Sequence, residues 1–538
     1  MTEPAAEARP EIRPEARKQT LDKDLDKLIR VEEAASFLAR GLVAPGLGLL
    51  FLALSGIVAA LFVMGEPGGV VIIAAAAIGG YLALNIGAND VANNVGPAVG
   101  AKALTMGGAL AIAAVFESAG ALIAGGDVVT TISSGIVNPV AVEDRGVFVR
   151  LMLAALISSA LWINIATWIG APVSTTHAVV GGVAGAGIAA AGFAAIDWIV
   201  VGGIAASWVI SPMLGAVFAT LFLAFIKANI IYREDKIAAA RLWVPILTAI
   251  MAGAFSAYLA TKGLKRVVDI SGLQIAVLGL GSFILVWGIS KIGVEKQAAG
   301  LENRNQSLRK LFRLPLIFSA ALLSFAHGAN DVSNAVGPLA AIVHAASGNE
   351  SAVIGIPLWV MVIGAFGISL GLVLFGPKLI RMVGGQITKL NPMRAFCVAL
   401  SAAITVIVAS WFGLPVSSTH IAVGAVFGVG FFREWYTANS SRRRAYLENK
   451  GNKARAARKQ DMAPAQVEDG AGAGGAALVD PDLIGPDVDD VPVSREEIAR
   501  RRLVRRAHVT TIATAWVTTV PASAVLAAGV FMLLRMLA

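Results

Sequence analysis

Two clusters of carboxylate and amide side chains and two clusters of hydroxyls stand out because each is written twice. Residues 87–97 read GANDVANNVGP and residues 328–338 read GANDVSNAVGP. On a helix Asn89 and Asn93 share a face, and Asn330 and Asn334 repeat that spacing around Asp331 as the first pair does around Asp90. Carboxylate and amide oxygens suit a hard cation such as Na+, so Asn89, Asp90, Asn330 and Asp331 are candidate metal ligands. A carboxylate can alternatively carry a proton. The second phrase is PVSTTH at 172–177 and PVSSTH at 415–420. Pro172 and Pro415 suit the first turn of a helix. Ser174, Thr175 and Thr176, matched by Ser417, Ser418 and Thr419, then combine hydroxyls with the free N–H groups of a helix start, a ready anion site. Plain N-capping without a ligand also explains such hydroxyls.

All four phrases lie in apolar surroundings, where polar groups are costly and are kept for function. Glu117, in AVFESAGAL, is a further carboxylate deep in an apolar run and a candidate for cation coupling beside Asp90 and Asp331. His177 and His420 close each hydroxyl cluster and read as structural histidines, with proton coupling as the sharper alternative. His327 and His344 have no counterparts in the first half and receive no role. There is no zinc-type His/Cys cluster and no GxxxxGK[ST] phosphate loop, which argues against an ATP-driven pump. No nucleophile–base constellation points to an enzyme, and no cofactor is expected beyond a coupling ion.

The elements that must position these residues are membrane helices. The chain of 538 residues is 57% hydrophobic and only 15% charged, too apolar for a soluble protein of this size. Candidate spans lie near 42–64, 69–100, 106–125, 147–169, 172–192, 199–226, 243–261, 273–291, 314–345, 352–376, 393–413, 414–431 and 511–536. The fold class is therefore an all-α polytopic membrane protein with about 11–13 membrane segments. The two Pro-Val-Ser segments are short and glycine-rich, and read either as helices or as re-entrant hairpins. The net charge of +9 does not argue for nucleic acid, because Lys and Arg gather in loops beside the spans. Cys397 is the only cysteine, so no intrachain disulfide forms.

Loop charge sets the topology. Lys and Arg number four in 227–242, six in 291–313, four in 377–394 and fifteen in 432–510, while 346–352 has none. Placing the basic loops inside leaves one exception outside, 262–270 with Lys262, Lys265 and Arg266. One odd span, 243–261, then separates the halves, which makes them inverted-topology repeats. The resulting plan is a cytoplasmic tail at 1–41, repeat 1 at 42–226, a linker with one extra span at 227–272 and repeat 2 at 273–431. A cytoplasmic, largely disordered loop follows at 432–510, Ala-, Gly-, Pro- and Asp-rich in its middle, and 511–538 forms the final helix of repeat 2. Duplicated polar breaks in spans of inverted halves point to a secondary transporter working by alternating access at a midplane site.

The four phrases resemble the paired signatures of the inorganic phosphate transporter (PiT) family. The likeness covers roughly 42–431 and the last span. It implies a phosphate symporter of the cell (inner or plasma) membrane, driven by Na+ or H+, with a sulfate symporter on the same fold as the alternative. It also implies a homodimer in the lipid bilayer. Carried over, the substrate ligands are Asn89, Asp90, Asn93, Ser174, Thr175, Thr176, Asn330, Asp331, Asn334, Ser417, Ser418 and Thr419. Glu117 resembles the family's first intramembrane glutamate, and the second falls on Ala399 in FCVALSA, a departure that bears on the coupling ion.

The inverted topology has a direct check. Single cysteines at Gly348 and Gly385, in a Cys397→Ala background, are expected to react differently with an impermeant thiol reagent added outside. Gly348→Cys labels and Gly385→Cys does not; equal labelling of both overturns the topology.

Overall fold

The computed structural model describes residues 42–66, 68–137, 142, 144–169, 173–266, 268–347, 355–386, 390–439 and 506–537. The tail 1–41, Pro172, Gly348 and residues 440–505 of the large loop lie outside them. The described residues from Phe51 onward form one compact unit that carries the candidate site, while the described part of residues 1–50 is the opening of the first helix.

The helices are α1 (Leu42–Val63), α2 (Gly69–Gly100), α3 (Met106–Ala124), α4 (Gly126–Thr130), α5 (Arg145–Ile169), α6 (Thr175–Ala191), α7 (Trp198–Ile226) and α8 (Lys236–Lys262). There follow α9 (Gly272–Ala298), α10 (Asn305–Leu311), α11 (Arg313–Ala346), α12 (Leu358–Gln386), α13 (Pro392–Trp411), α14 (Ser418–Asn439) and α15 (Arg506–Met536). Among the described residues ten are long and apolar enough to cross a membrane, and the pair α10–α11, bent by 47°, makes an eleventh. An isolated bridge between Val137 and Ile196 is the β-pairing among these residues. The Pro-Val-Ser segments each form one continuous helix, α6 and α14, rather than a hairpin folded within itself. Helix α14 also runs eight residues past 431, into the segment read from sequence as loop.

Capping fixes where spans begin. Asp197 accepts from the N–H groups of Ile199 and Val200, both at 3.0 Å, and Asp235 accepts from Ala238 N at 2.8 Å. Ser271 and Gln274 form a reciprocal capping box at α9. Asn391 caps α13, with Pro392 in its first turn, where the missing N–H costs nothing. Helix α9 is apolar all round and exposes Leu273, Leu280, Leu285 and Ile289, as a lipid-facing helix does. Part of the loop-charge exception has a local cause: Lys262 pairs with Asp127 at 2.5 Å and lies 4.9 Å from the Trp411 ring centre.

The spans meet through glycine. A methyl built on Gly87 of α2 would fall 1.9 Å from the Ile368 carbonyl oxygen of α12, and one on Gly371 of α12 would fall 2.0 Å from that of Leu84. Gly120 of α3 and Gly328 of α11 stand in the same relation to Phe325 O and Glu117 O, at 2.0 and 2.1 Å. Each motif helix is thus notched backbone-to-backbone against a helix from the other half. Helices α6 and α14 behave alike: Gly181 and Gly185 abut Val520 and Ala524 of α15, and Gly424 and Gly428 abut Pro212 and Ala216 of α7. Without water in the bilayer to drive association, such close approach supplies the packing.

Gly371→Ala is expected to lower stability in detergent by about 1–3 kcal/mol through overpacking. Gly288→Ala on α9, where a methyl meets nothing within 4 Å, leaves the melting temperature unchanged or raised. Equal melting of the two variants contradicts the crossing geometry.

Candidate functional site

The two motif helices bring Asp90 and Asp331 to the level where α6 and α14 begin. All four helix segments are buried there. Ser174 and Ser417 are N-caps: their hydroxyl oxygens accept from His177 N at 3.2 Å and His420 N at 3.3 Å. Their hydroxyl protons stay available to a ligand, while the backbone N–H groups of Thr175 and Thr419 sit in the unbonded first turns.

Asp90 joins the two helix tips. Its Oδ2 accepts from Thr175 Oγ1 at 2.9 Å and its Oδ1 from Thr419 Oγ1 at 3.0 Å. Asn93 Nδ2 donates to the same Thr419 hydroxyl at 2.8 Å, and Asn334 Nδ2 donates to Thr176 Oγ1 at 3.2 Å. One carboxylate from the first half therefore holds a threonine from each half.

Asn330 is occupied differently. Its Nδ2 donates to Ser410 Oγ at 2.9 Å and to Leu414 O at 3.0 Å, and its Oδ1 accepts from Val416 N at 3.1 Å. It clamps the extended approach to α14, so in this arrangement its amide is committed to the backbone rather than turned to a ligand. Asn89 donates to Thr167 Oγ1 at 3.0 Å, and its Oδ1 has no partner.

The sequence reading missed His327. The imidazole is wholly buried, with Nε2 at 3.0 Å from Asp331 Oδ2 and 3.8 Å from Asp90 Oδ2. Its Nδ1 lies 3.4 Å from Glu117 Oε1, which also accepts from Asn94 Nδ2 at 2.6 Å. The signal was present, since His327 stands one helical turn before Asp331, but Ile86 occupies its place in the first motif. Asn94 was passed over for the same reason, its counterpart being Ala335. The position paired with Glu117 also needs correcting. Gly328 abuts Glu117 as Gly87 abuts Ile368, so the counterpart is Ile368 of α12, not Ala399 of α13. Asn94, Glu117 and His327 thus converge, whereas Ile86, Ala335 and Ile368 are buried and apolar.

Three buried carboxylates face one imidazole, and carboxylates so placed require compensation. Ligand atoms of Asp90, His327 and Asp331 lie within 4.8 Å of one another. Asn89 Oδ1, Asn94 Oδ1, Glu117 Oε2, Asp331 Oδ1, Asn334 Oδ1 and Ser418 Oγ are buried without hydrogen-bond partners. Oxygen donors of this kind fit a hard monovalent cation. Below the tips, the His177 and His420 rings are 4.5 Å apart, with Trp208 3.8 Å from His177. These histidines touch each other across the two halves.

The sequence pattern of the phosphate transporter family matches residues 86–527. The chain belongs to the phosphate transporter family. A candidate phosphate permease of Helicobacter pylori is 55% identical over 423 residues, covering 78% of this chain and 79% of the relative. One from Pyrococcus abyssi is 36% identical over 368 residues, covering 68% of this chain and 89% of the relative. A solved structure described as the sodium-dependent phosphate transporter superposes with a TM-score of 0.71 at 29% identity, over 87% of this chain and all of that one. The chain is accordingly a multi-pass phosphate transporter of the cell membrane, and not an enzyme.

His327→Gln preserves size and hydrogen bonding but cannot become charged. Phosphate uptake is expected to fall at least about tenfold, since hydrogen bonds to charged groups contribute about that factor each, and the melting temperature to fall as well, because the carboxylates lose the imidazole beside them. Uptake at the wild-type level would leave His327 a packing residue.

Proposed function

We propose that the chain is a cation-driven phosphate symporter in which Asp90 links the cation to the anion. The supporting observation is that Asp90 accepts from Thr175 and Thr419, the hydroxyls at both helix tips, while also facing His327 and Asp331. With no cation bound, the carboxylates hold both threonine hydroxyls and repel an anion. A cation among Asp90, Asp331 and the unpartnered amide oxygens offsets that charge. The threonines can then turn their hydroxyls to phosphate, which the N–H groups opening α6 and α14 also attract. Substrate and ion thus favour each other's binding through one residue.

The substrate ligands in this reading are Asn89, Asp90, Asn93, Ser174, Thr175, Thr176, Asp331, Asn334, Ser417, Ser418 and Thr419, with Asn330 setting the approach to α14. Cation coupling falls to Asp90, Asp331 and Glu117, with His327 joining them. Na+ is the first choice of ion: the unpartnered donors are oxygens, and the solved relative is described as sodium-dependent. His327, set among three carboxylates, favours a proton as the second. The helix exchange, α2 with α12 and α3 with α11, supports two inverted repeats that rock about the site.

Phosphate rather than sulfate follows from hydrogen bonding. Hydrogen phosphate retains a proton to donate, and an ionised carboxylate only accepts. Asp331 Oδ1, buried and unpartnered, gains a bond from phosphate and meets only lone pairs from sulfate. The test is radiolabelled phosphate uptake into proteoliposomes with Na+ and pH gradients imposed separately. A Na+ gradient alone is expected to drive uptake, a roughly tenfold excess of sulfate should compete poorly, and Asp331→Asn should abolish uptake while the protein still folds. Uptake driven by the pH gradient alone selects the proton, and uptake indifferent to both gradients overturns symport.

A further inference from the structure

A cationic cluster lies away from the carboxylates. A cavity of about 540 Å³ is walled by the end of α2 (Gly100, Ala101, Lys102, Ala103), by Arg309, Lys310 and Arg313 where α10 meets α11, and by Leu390, Asn391, Pro392 and Arg394 where α13 begins. Five of these residues are cationic. None of the five has a described carboxylate within salt-bridge distance. Arg394 instead faces the like charges of Arg433 and Arg309. Collecting five positive charges with no acidic partner among the described residues sets up a mutual repulsion, which an anion would remove.

Two features show that the cavity is shaped rather than incidental. Lys102 has φ 58°, the one left-handed non-glycine backbone among the described residues. A glycine is the usual occupant of that position after a helix, where bonds from Lys102 N to Val99 O and Ala103 N to Ala98 O turn the chain. Lysine there is strained, and strain of this kind gathers at functional sites. Arg313 Nε is fixed by Ala103 O at 2.8 Å, which ties the α10–α11 junction to the same turn. The walls come from the loops that the charge rule places in the cytoplasm, and a basic pocket between span ends on that side suits phosphate-bearing headgroups. Gly100 also lies on the helix of Asp90, about 15 Å further along at ~1.5 Å per residue.

We propose that this cavity binds the phosphate group of an anion at the cytoplasmic face, either an anionic phospholipid headgroup or free phosphate. The site stands apart from the coupling scheme above and is tested separately from it. The full-length protein is purified in neutral detergent. Inorganic phosphate binding is measured by equilibrium dialysis as moles per chain, and short-chain phosphatidylglycerol binding by native mass spectrometry against phosphatidylcholine. Lys102→Gly is expected to weaken one probe's binding at this cavity about tenfold, and Arg309→Gln combined with Arg313→Gln to remove it, so that in the phosphate arm only the mole held at the central site remains. Because Lys102→Gly relieves backbone strain, the variant keeps its fold, and its effect reports charge alone. A loss confined to phosphate, one mole per chain, identifies free phosphate as the ligand; a loss confined to phosphatidylglycerol identifies the headgroup. Binding of both probes unchanged in every variant, or binding of neither to the wild type, overturns the proposal.

Discussion

Three carboxylates and one imidazole, all out of reach of water, set the conditions under which this protein can exist. Charges of one sign do not stay buried together without a partner. Asp90 meets part of that demand with two threonine hydroxyls, Glu117 with an amide and an imidazole, and Asp331 with the imidazole and a long contact from the Thr175 hydroxyl. What is left over is a deficit of positive charge and a surplus of oxygen lone pairs. An arrangement of this kind is poised to change when a cation enters. The same hydroxyls that quiet Asp90 are the ones best placed for an anion.

The surrounding helices must therefore hold these groups closely and still permit rearrangement. Glycine notches accomplish the first. Backbones meet at Gly87, Gly120, Gly328 and Gly371, fixing the height of Asp90 and Glu117 against their neighbours with no side chain between. The helices that carry the hydroxyls are notched elsewhere, α6 on α15 and α14 on α7. Carboxylates and hydroxyls thus ride on separately braced pairs, and the polar contacts between them at the centre are ones a ligand can replace.

Much of this was legible in the residues. Span positions followed from apolar runs, because a bilayer imposes a minimum length that few other constraints mimic. Asp90, Thr175 and Thr419 could be picked out since duplication marks them, and the structure brings them together. Duplication also misled. His327, Asn94 and Glu117 have apolar counterparts, so repetition could not flag the first two, and it misdirected the partner of the third. No local pattern could show that Asn330 would spend its amide on the backbone at Leu414 and Val416, because that depends on how the approach to α14 is laid against α11. Lys102 was equally hidden, for its unusual backbone angle is a product of the turn and not of the residue.

The one-sided cluster carries an evolutionary consequence. Two copies of the first motif helix would bring Asn94 to Glu117 but would set isoleucine where His327 stands. Two copies of the second would supply the histidine and leave it facing Ile368. Neither half, assembled with a copy of itself, could build the arrangement seen here. Such a centre requires two unlike halves in fixed company, so once it had arisen, any ancestral state in which a half-length subunit served both roles was closed to this lineage.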